Sequence, residues 1–205
     1  MQMKWLIFIF FSICSSAQNI PCSELILQSK QGLVQYFNKI IYLEEPHYLT
    51  KRELFSVVSP ECSTFSKTKN NLEVLVIKSN LYLNIDKMDL SFGPFQMKVS
   101  FILKTLRKAP NTIIDDDKLF KIKINNFLNV SDVDYLNKIE VQWKILRIFE
   151  FNNLKIYNKY SLEGLYTIYN RGAINRRKTN YSKIDCVGKT YEDWCSQFLN
   201  FLNSI

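Results

Sequence analysis

Apolar positions along this chain recur mostly every three or four residues, the spacing of helices that bury one face. The segment from Ser23 to Leu43 shows this pattern clearly. Thr50 and Glu53 then form a capping box, which predicts the start of a second helix. Pro60 should end or kink that helix, because proline lacks an amide hydrogen and clashes with the preceding turn. Further helices are predicted over 71–84, 95–108, 131–149, 161–170 and 191–202.

Some segments are less regular. Residues 86–93 predict a loop, 110–117 a polar connection, and 119–127 alternate apolar and polar side chains, so a strand is an alternative there. The predicted core residues of 71–84 are Leu72, Leu75, Val76, Leu81 and Leu83. A strand is the alternative for this segment, because Val76 and Ile77 are both β-branched. No repeat or linker is visible. We therefore predict one all-α domain, with a minor β element as an alternative.

The first residues predict an export signal. Lys4 precedes an almost wholly apolar run from Trp5 to Cys14, and the small residues Ser15, Ser16 and Ala17 follow. Cleavage after Ala17 is expected, which leaves a mature domain over 18–205 and places it in the periplasm or outside the cell. An uncleaved anchor and a lipoprotein attached through Cys14 are the alternatives. The run is about half the roughly 20 residues of a spanning helix, so no stable membrane span is expected after cleavage.

The charge of the chain is strongly basic. The formal net charge is +8, and loss of Lys4 with the signal lowers it to +7. A basic exported protein suits an anionic polymer such as the cell wall, while solubility alone is an equally simple explanation. Export argues against nucleic acid as a partner. Nothing in the sequence requires a second subunit, so we expect a monomer.

Four cysteines remain after the signal, and an even number in an oxidising compartment predicts two disulfides. Cys186 and Cys195 are close in sequence and form the favoured pair, which leaves Cys22 with Cys62. Free buried thiols are the alternative. The chain has a single histidine, His47, so neither a metal site nor any other cofactor is expected.

Three short strings carry the candidate chemistry. They are Ser59-Pro60-Glu61, then Ser91 to Met97, and then Ile168 to Gly172. In this order they resemble the motifs of the lysozyme-like lytic transglycosylases, which also occur in goose-type lysozymes. The resemblance spans about Thr50 to Gly172, with Pro94, Phe95 and Ile168 replacing the usual leucine, methionine and alanine. It implies a lysozyme-like domain with a substrate cleft, and the spacing from Glu61 to Gly93 suggests a divergent member.

The resemblance assigns a role to each string. Glu61 would be the catalytic acid, and its neighbours Val57, Val58 and Pro60 could supply the burial that raises a carboxyl pKa. Tyr169 would bring its hydroxyl near Glu61, and Asn170 would hold the loop or contact substrate. The substrate-binding set would be Ser91, Gly93, Phe95, Gln96, Met97, Tyr169 and Asn170. For each string a purely structural role is the alternative: a solvated helix end, a turn with Phe95 and Met97 in the core, and a helix terminus.

The implied activity is cleavage of peptidoglycan glycan strands at the MurNAc–GlcNAc bond by a single glutamate. Most glycosidases place two carboxylates across the bond, and Asp86 and Asp89 are the candidates for the second, although loop aspartates more often form turns. A ring-closing lyase is therefore the first hypothesis. A hydrolytic muramidase and a non-catalytic wall-binding protein on the same fold are the alternatives.

Overall fold

A computed structural model describes residues 22–63, 65–83, 89–156, 162–171 and 191–205, and the side chains of 22–28, 155–156 and 171 are outside that description. The predicted all-α class is confirmed, because the described residues form helices and one two-stranded sheet. The helices are α1 (Cys22–Ile40), α2 (Lys51–Ser56), α3 (Ser59–Ser63), α4 (Lys67–Leu83), α5 (Val99–Lys108), α6 (Asp117–Asn125), α7 (Val130–Leu136), α8 (Ile139–Ile156), α9 (Leu162–Arg171) and α10 (Tyr191–Asn203). Strands β1 (Ser91–Phe92) and β2 (Met97–Lys98) form a hairpin, and Asn111–Ile113 is a 3₁₀ turn.

Helix α8 is the centre of the core. Its buried residues lie on every side of the helix, as expected for a helix surrounded by protein. It packs against α1, α2, α5 and α7. The buried apolar side chains of α8 are Ile139, Val141, Trp143, Ile145, Leu146, Ile148, Phe149 and Phe151. A helix enclosed in this way supplies a rigid base for the loops that pack on it.

Several local predictions are confirmed. The capping box at Thr50 is present: its hydroxyl accepts from the Glu53 amide, and the Glu53 carboxylate accepts from the Thr50 amide. The chain bends at Val57 and Val58, just before Pro60, and then starts the short helix α3. Glu61 consequently lies in the first turn of α3 rather than at the end of α2.

Other predictions were wrong. Residues 95–98 belong to the hairpin and not to the following helix, which begins only at Val99. The strand considered over 119–127 is helix α6, whose N-cap Asp116 accepts from the amides of Lys118 and Leu119. The long helix expected from Ser131 is two helices, α7 and α8, separated at Asn137 and Lys138. For α6, the N-cap Asp116 is a local group that starts a helix where the alternating pattern left a strand possible.

The predicted buried face of α4 was also wrong. Most of the residues assigned to the core are exposed to a large degree: Leu72, Leu75, Val76 and Leu83. The helix instead buries Asn70 and Ile77. Asn70 hydrogen-bonds the hairpin and Asn137, so a buried polar pairing set the rotation of this helix. Within the described residues, no helix is both long enough and apolar enough to cross a bilayer.

Candidate functional site

A loop at the tip of the hairpin is the centre of the candidate site. Ser91 pairs with Lys98 and Phe92 with Met97, so residues 93–96 connect the strands. The backbone amide of Gln96 donates to the Gly93 carbonyl at 2.9 Å and closes the turn. Gly93 has φ +77°, a left-handed conformation that glycine adopts without steric cost. The loop therefore requires a glycine at its first position.

Side chains from two helices fix this loop in place. The Gly93 amide donates to Asn70 Oδ1 at 2.5 Å. The buried side chain of Gln142 accepts from the Phe95 amide at 2.9 Å and donates to the Phe92 carbonyl at 2.8 Å. A Cβ atom on Gly93 would lie 1.9 Å from Gln142 Nε2. The absence of a side chain at Gly93 therefore also leaves room for the Gln142 side chain.

The other two motifs meet the same loop. The Tyr169 hydroxyl, on α9, donates to the Phe95 carbonyl at 2.6 Å. The thiol of Cys62, the residue after Glu61 on α3, lies 3.5 Å from the Pro94 carbonyl. Residues from three distant parts of the chain are thus joined through adjacent peptide groups of one loop.

Glu61 is partly buried at this junction. Its neighbours in sequence, Val57, Val58 and Pro60, are buried. The pKa of the Cys62 thiol is raised well above its usual value, first by burial and then by the charge of Glu61. Burial likewise raises the pKa of Cys195, followed by the charges of Glu192 and Glu61. The Glu61 carboxyl therefore lies near enough to both thiols, one on α3 and one on α10, to act on them electrostatically.

Gln96 is the one residue of the 93–96 loop that retains partial exposure. Its φ is +49°, which is uncommon for a residue with a side chain. The hydrogen bonds of Asn70, Gln142 and Tyr169 to the loop hold the backbone in this conformation. Its Nε2 atom donates to the Gly93 carbonyl at 3.0 Å. A strained, rigidly held residue with a polar side chain near the surface is a reasonable binding group.

The remaining predicted contacts are placed differently. Phe95 and Met97 are buried in the core, which agrees with the structural alternative for this string. Ser91 is partly buried in β1. The Asn170 side chain is partly buried, and its Nδ2 atom has no hydrogen-bond partner within the described residues. Gly172 lies outside the described part of the chain.

The two expected disulfides are not formed in this structure. Cys62 and Cys195 are free buried thiols, which matches the alternative interpretation of the cysteines. Cys62 points to the Pro94 carbonyl and Cys195 to the Val57 carbonyl at 3.9 Å, so each thiol has a neighbour within the core. Their predicted partners, the side chain of Cys22 and the whole of Cys186, lie outside the described residues.

The structure places the candidates for a second carboxylate differently from the sequence prediction. Asp89 accepts from the amide and hydroxyl of Ser100 at 3.0 and 2.6 Å, which gives it a structural role at the start of α5. Asp86 lies outside the described residues. Glu73, on α4, was not anticipated: its carboxyl is largely buried beside the Gln96 side chain.

The pKa of Glu73 is raised by burial, and this effect is only partly opposed by Lys69 and the Gln96 amide. Asn70, Glu73 and Gln142 are the site residues that sequence reasoning missed. For Asn70 and Glu73 the apolar pattern gave no signal, because it assigned another face of α4 to the core.

Among the described residues, no group of histidine, cysteine and acidic side chains is arranged to hold a metal ion. No protein-family model, curated protein or solved structure matches this chain. The candidate site is therefore interpreted from its own geometry and from the motifs.

Proposed function

We propose that this protein cleaves peptidoglycan glycan strands, with Glu61 as the acid and the ring-closing lyase reaction as the preferred outcome. The single observation that carries the proposal is the meeting of the three motifs at one loop. Cys62 beside Glu61 contacts the Pro94 carbonyl, and Tyr169 contacts the Phe95 carbonyl.

The proposed reaction needs one carboxyl in two states. Protonated Glu61 gives its proton to the bridging glycosidic oxygen as the bond to the anomeric carbon breaks, and the acetamido group of the substrate stabilises the resulting cation. The carboxylate then takes the proton from the C6 hydroxyl of the same sugar while that oxygen bonds to the anomeric carbon. This closes a 1,6-anhydro ring and restores the acid. Water in place of the hydroxyl would make the enzyme a muramidase.

The surroundings of Glu61 support this role. Glu61 is partly buried, and its neighbours in sequence, Val57, Val58 and Pro60, are buried. Gln142 accepts a hydrogen bond from the Phe95 amide, and Tyr169 donates one to the Phe95 carbonyl. The two peptide groups that flank Phe95 are therefore both fixed. A rigid site keeps the donor in position without reorganisation during the reaction.

The first prediction concerns Glu61→Gln. Loss of the proton donor should reduce muropeptide release from purified sacculi by about 100-fold or more. The melting temperature should change little, because the substitution conserves the shape of the side chain. Glu140→Gln is the matched control, since Glu140 is exposed in the first turn of α8. Mass spectrometry of the products measures the release.

The products also separate the alternatives. Anhydro ends identify a lyase, and reducing ends, heavier by one water, identify a hydrolase. Co-sedimentation with sacculi without any release would identify a wall-binding protein. Undiminished release by the Glu61→Gln variant would remove Glu61 from the mechanism.

A further inference from the structure

Helix α4 carries a line of apolar side chains that faces away from the core. On its inner side the helix buries Asn70 and Ile77 and packs against α7 and β1. The exposed apolar residues recur at intervals of three, four and seven, so they lie along the opposite side of the helix. We call this line the outer stripe, and it consists of Leu72, Leu75, Val76, Tyr82 and Leu83. Leu75 is 60% exposed and Tyr82 80%, so a large apolar surface of α4 is left uncovered.

The charges beside the outer stripe are mainly positive. Lys67 and Lys69 are exposed in the first turn of α4, and Lys78 lies further along the helix. Glu73 is the single acidic residue in the α4 sequence, and it is the least exposed of these four charged side chains. Asp134 of α7 pairs with Lys78 at 2.6 Å, so Lys67 and Lys69 are the main accessible charges of the helix. The helix therefore combines an exposed apolar line with a basic border, which is typical of helices that lie on anionic membranes.

We propose that the outer stripe docks on an anionic lipid surface, with its apolar side chains among the upper acyl chains and its lysines at the headgroups. The stripe follows the convex side of a helix about 25 Å long, and a fluid bilayer adapts to such a side without a matching groove. Tyr82 suits the boundary, because its ring is apolar and its hydroxyl is polar. A second copy of this chain fits less well, since it would bring the same lysines and a net charge of +8 to the contact. Docking of this kind does not depend on the activity proposed for Glu61.

Vesicles of equal parts phosphatidylglycerol and phosphatidylcholine test the contact of α4 with lipid. Tyr82→Trp should add a fluorescence signal that brominated acyl chains quench. The matched control is Tyr42→Trp, because Tyr42 is 89% exposed outside α4, and its added signal should not be quenched. Both signals are taken as differences from the wild-type chain, so the native tryptophans cancel. Absence of quenching at position 82, or equal quenching at both positions, would overturn the docking.

Leu75→Gln combined with Leu83→Gln tests the apolar part of the contact at unchanged charge. Both residues are exposed, so the melting temperature should change little, whereas the affinity for the same vesicles should fall about tenfold or more. Ile41→Gln combined with Ile205→Gln is the control, because these residues are exposed outside α4, and it should keep the wild-type affinity. Equal losses in the two double variants would overturn the role of the outer stripe.

Lys67→Gln combined with Lys69→Gln tests the basic border. This pair should weaken binding to the mixed vesicles more than Arg107→Gln combined with Lys108→Gln, which removes the same charge from exposed positions of α5. Equal weakening would mean that net charge alone attracts the protein, and it would overturn the orientation with α4 against the lipid.

Sedimentation equilibrium without vesicles examines the other occupant. A monomeric wild type that binds the vesicles supports the lipid contact. A wild-type dimer that Leu75→Gln combined with Leu83→Gln dissociates would instead assign the outer stripe to a second copy of this chain and overturn the proposal.

Discussion

At the scale of single residues, Gly93 has the most demanding position in the site. Its φ of +77° and the 1.9 Å that would separate an added Cβ from Gln142 Nε2 both oppose any side chain. Gly93→Ala should therefore displace Gln142, break its two hydrogen bonds to the loop and lower the free energy of unfolding by about 3 kcal/mol. Chemical denaturation of the variant measures this loss.

Gly32 provides the matched control for that prediction. It lies within α1, and a Cβ there would lie at an ordinary 3.7 Å from the Cys62 carbonyl oxygen. Gly32→Ala should stabilise the protein by about 0.5–1 kcal/mol, because alanine has the higher helix propensity. If the two variants changed the free energy of unfolding equally, the clash of the new Cβ at position 93 with Gln142 would not be the cause of the loss.

At the scale of elements, α8 fixes the segment between α1 and α2 as well as forming the centre of the core. Its buried Glu150 accepts from the amides of His47, Tyr48 and Leu49 at 2.9, 2.9 and 2.7 Å. These contacts hold the segment between α1 and α2, and α2 leads directly to the candidate acid. One carboxylate thus connects the central helix to the segment that positions Glu61.

Glu150→Gln tests this connection. The amide has only one oxygen, and its NH₂ group would face a backbone donor, so at least one backbone amide of the 47–49 segment loses its partner. The variant should lose about 2–3 kcal/mol of unfolding free energy, as measured by urea denaturation. The exposed Glu140→Gln change in the same helix should cost less than about 0.5 kcal/mol. A similar small effect at Glu150 would show that the connection does not depend on its charge.

At the scale of the whole molecule, Asp116 links three helices. It caps α6 and contacts Lys144 of α8 at 3.1 Å, with Tyr135 of α7 beside it. Burial alone would raise the pKa of this carboxyl, but hydrogen bonds from Tyr135, the Leu119 amide and Lys144 outweigh it and lower the pKa below the ordinary 3.8. The network therefore favours the ionised form.

A lowered pKa determines the sign of the pH dependence. Asp116 stabilises the fold above its unfolded pKa, and this contribution is lost as the pH falls below about 4 through the folded pKa. Asp116→Asn should be less stable than wild type at pH 7, and the difference in melting temperature should shrink toward pH 3. The exposed neighbour Asp117, changed to Asn, is the control and should show no comparable convergence. A difference independent of pH would exclude the linkage.

The elements of this fold were largely predictable from the sequence, since each depends on neighbours along the chain. The helical periods, the capping box at Thr50 and the bend before Pro60 are local features. The errors arose where a local pattern was ambiguous. Residues 119–127 alternate in polarity, yet 119–125 belong to helix α6. The apolar stripe on α4 did not identify the buried face of that helix.

The candidate site was predictable only in part. The sequence by itself determined the three motifs, the glycine at position 93 and the choice of Glu61 as the candidate acid. Only the tertiary structure decided that Phe95 and Met97 are core residues, that Cys62 and Cys195 are free thiols, and that Asn70 and Gln142 hydrogen-bond the loop. The physical reason is range: helix propensity and turn geometry act over a few residues, whereas burial and hydrogen bonds to a loop depend on side chains that are distant in sequence.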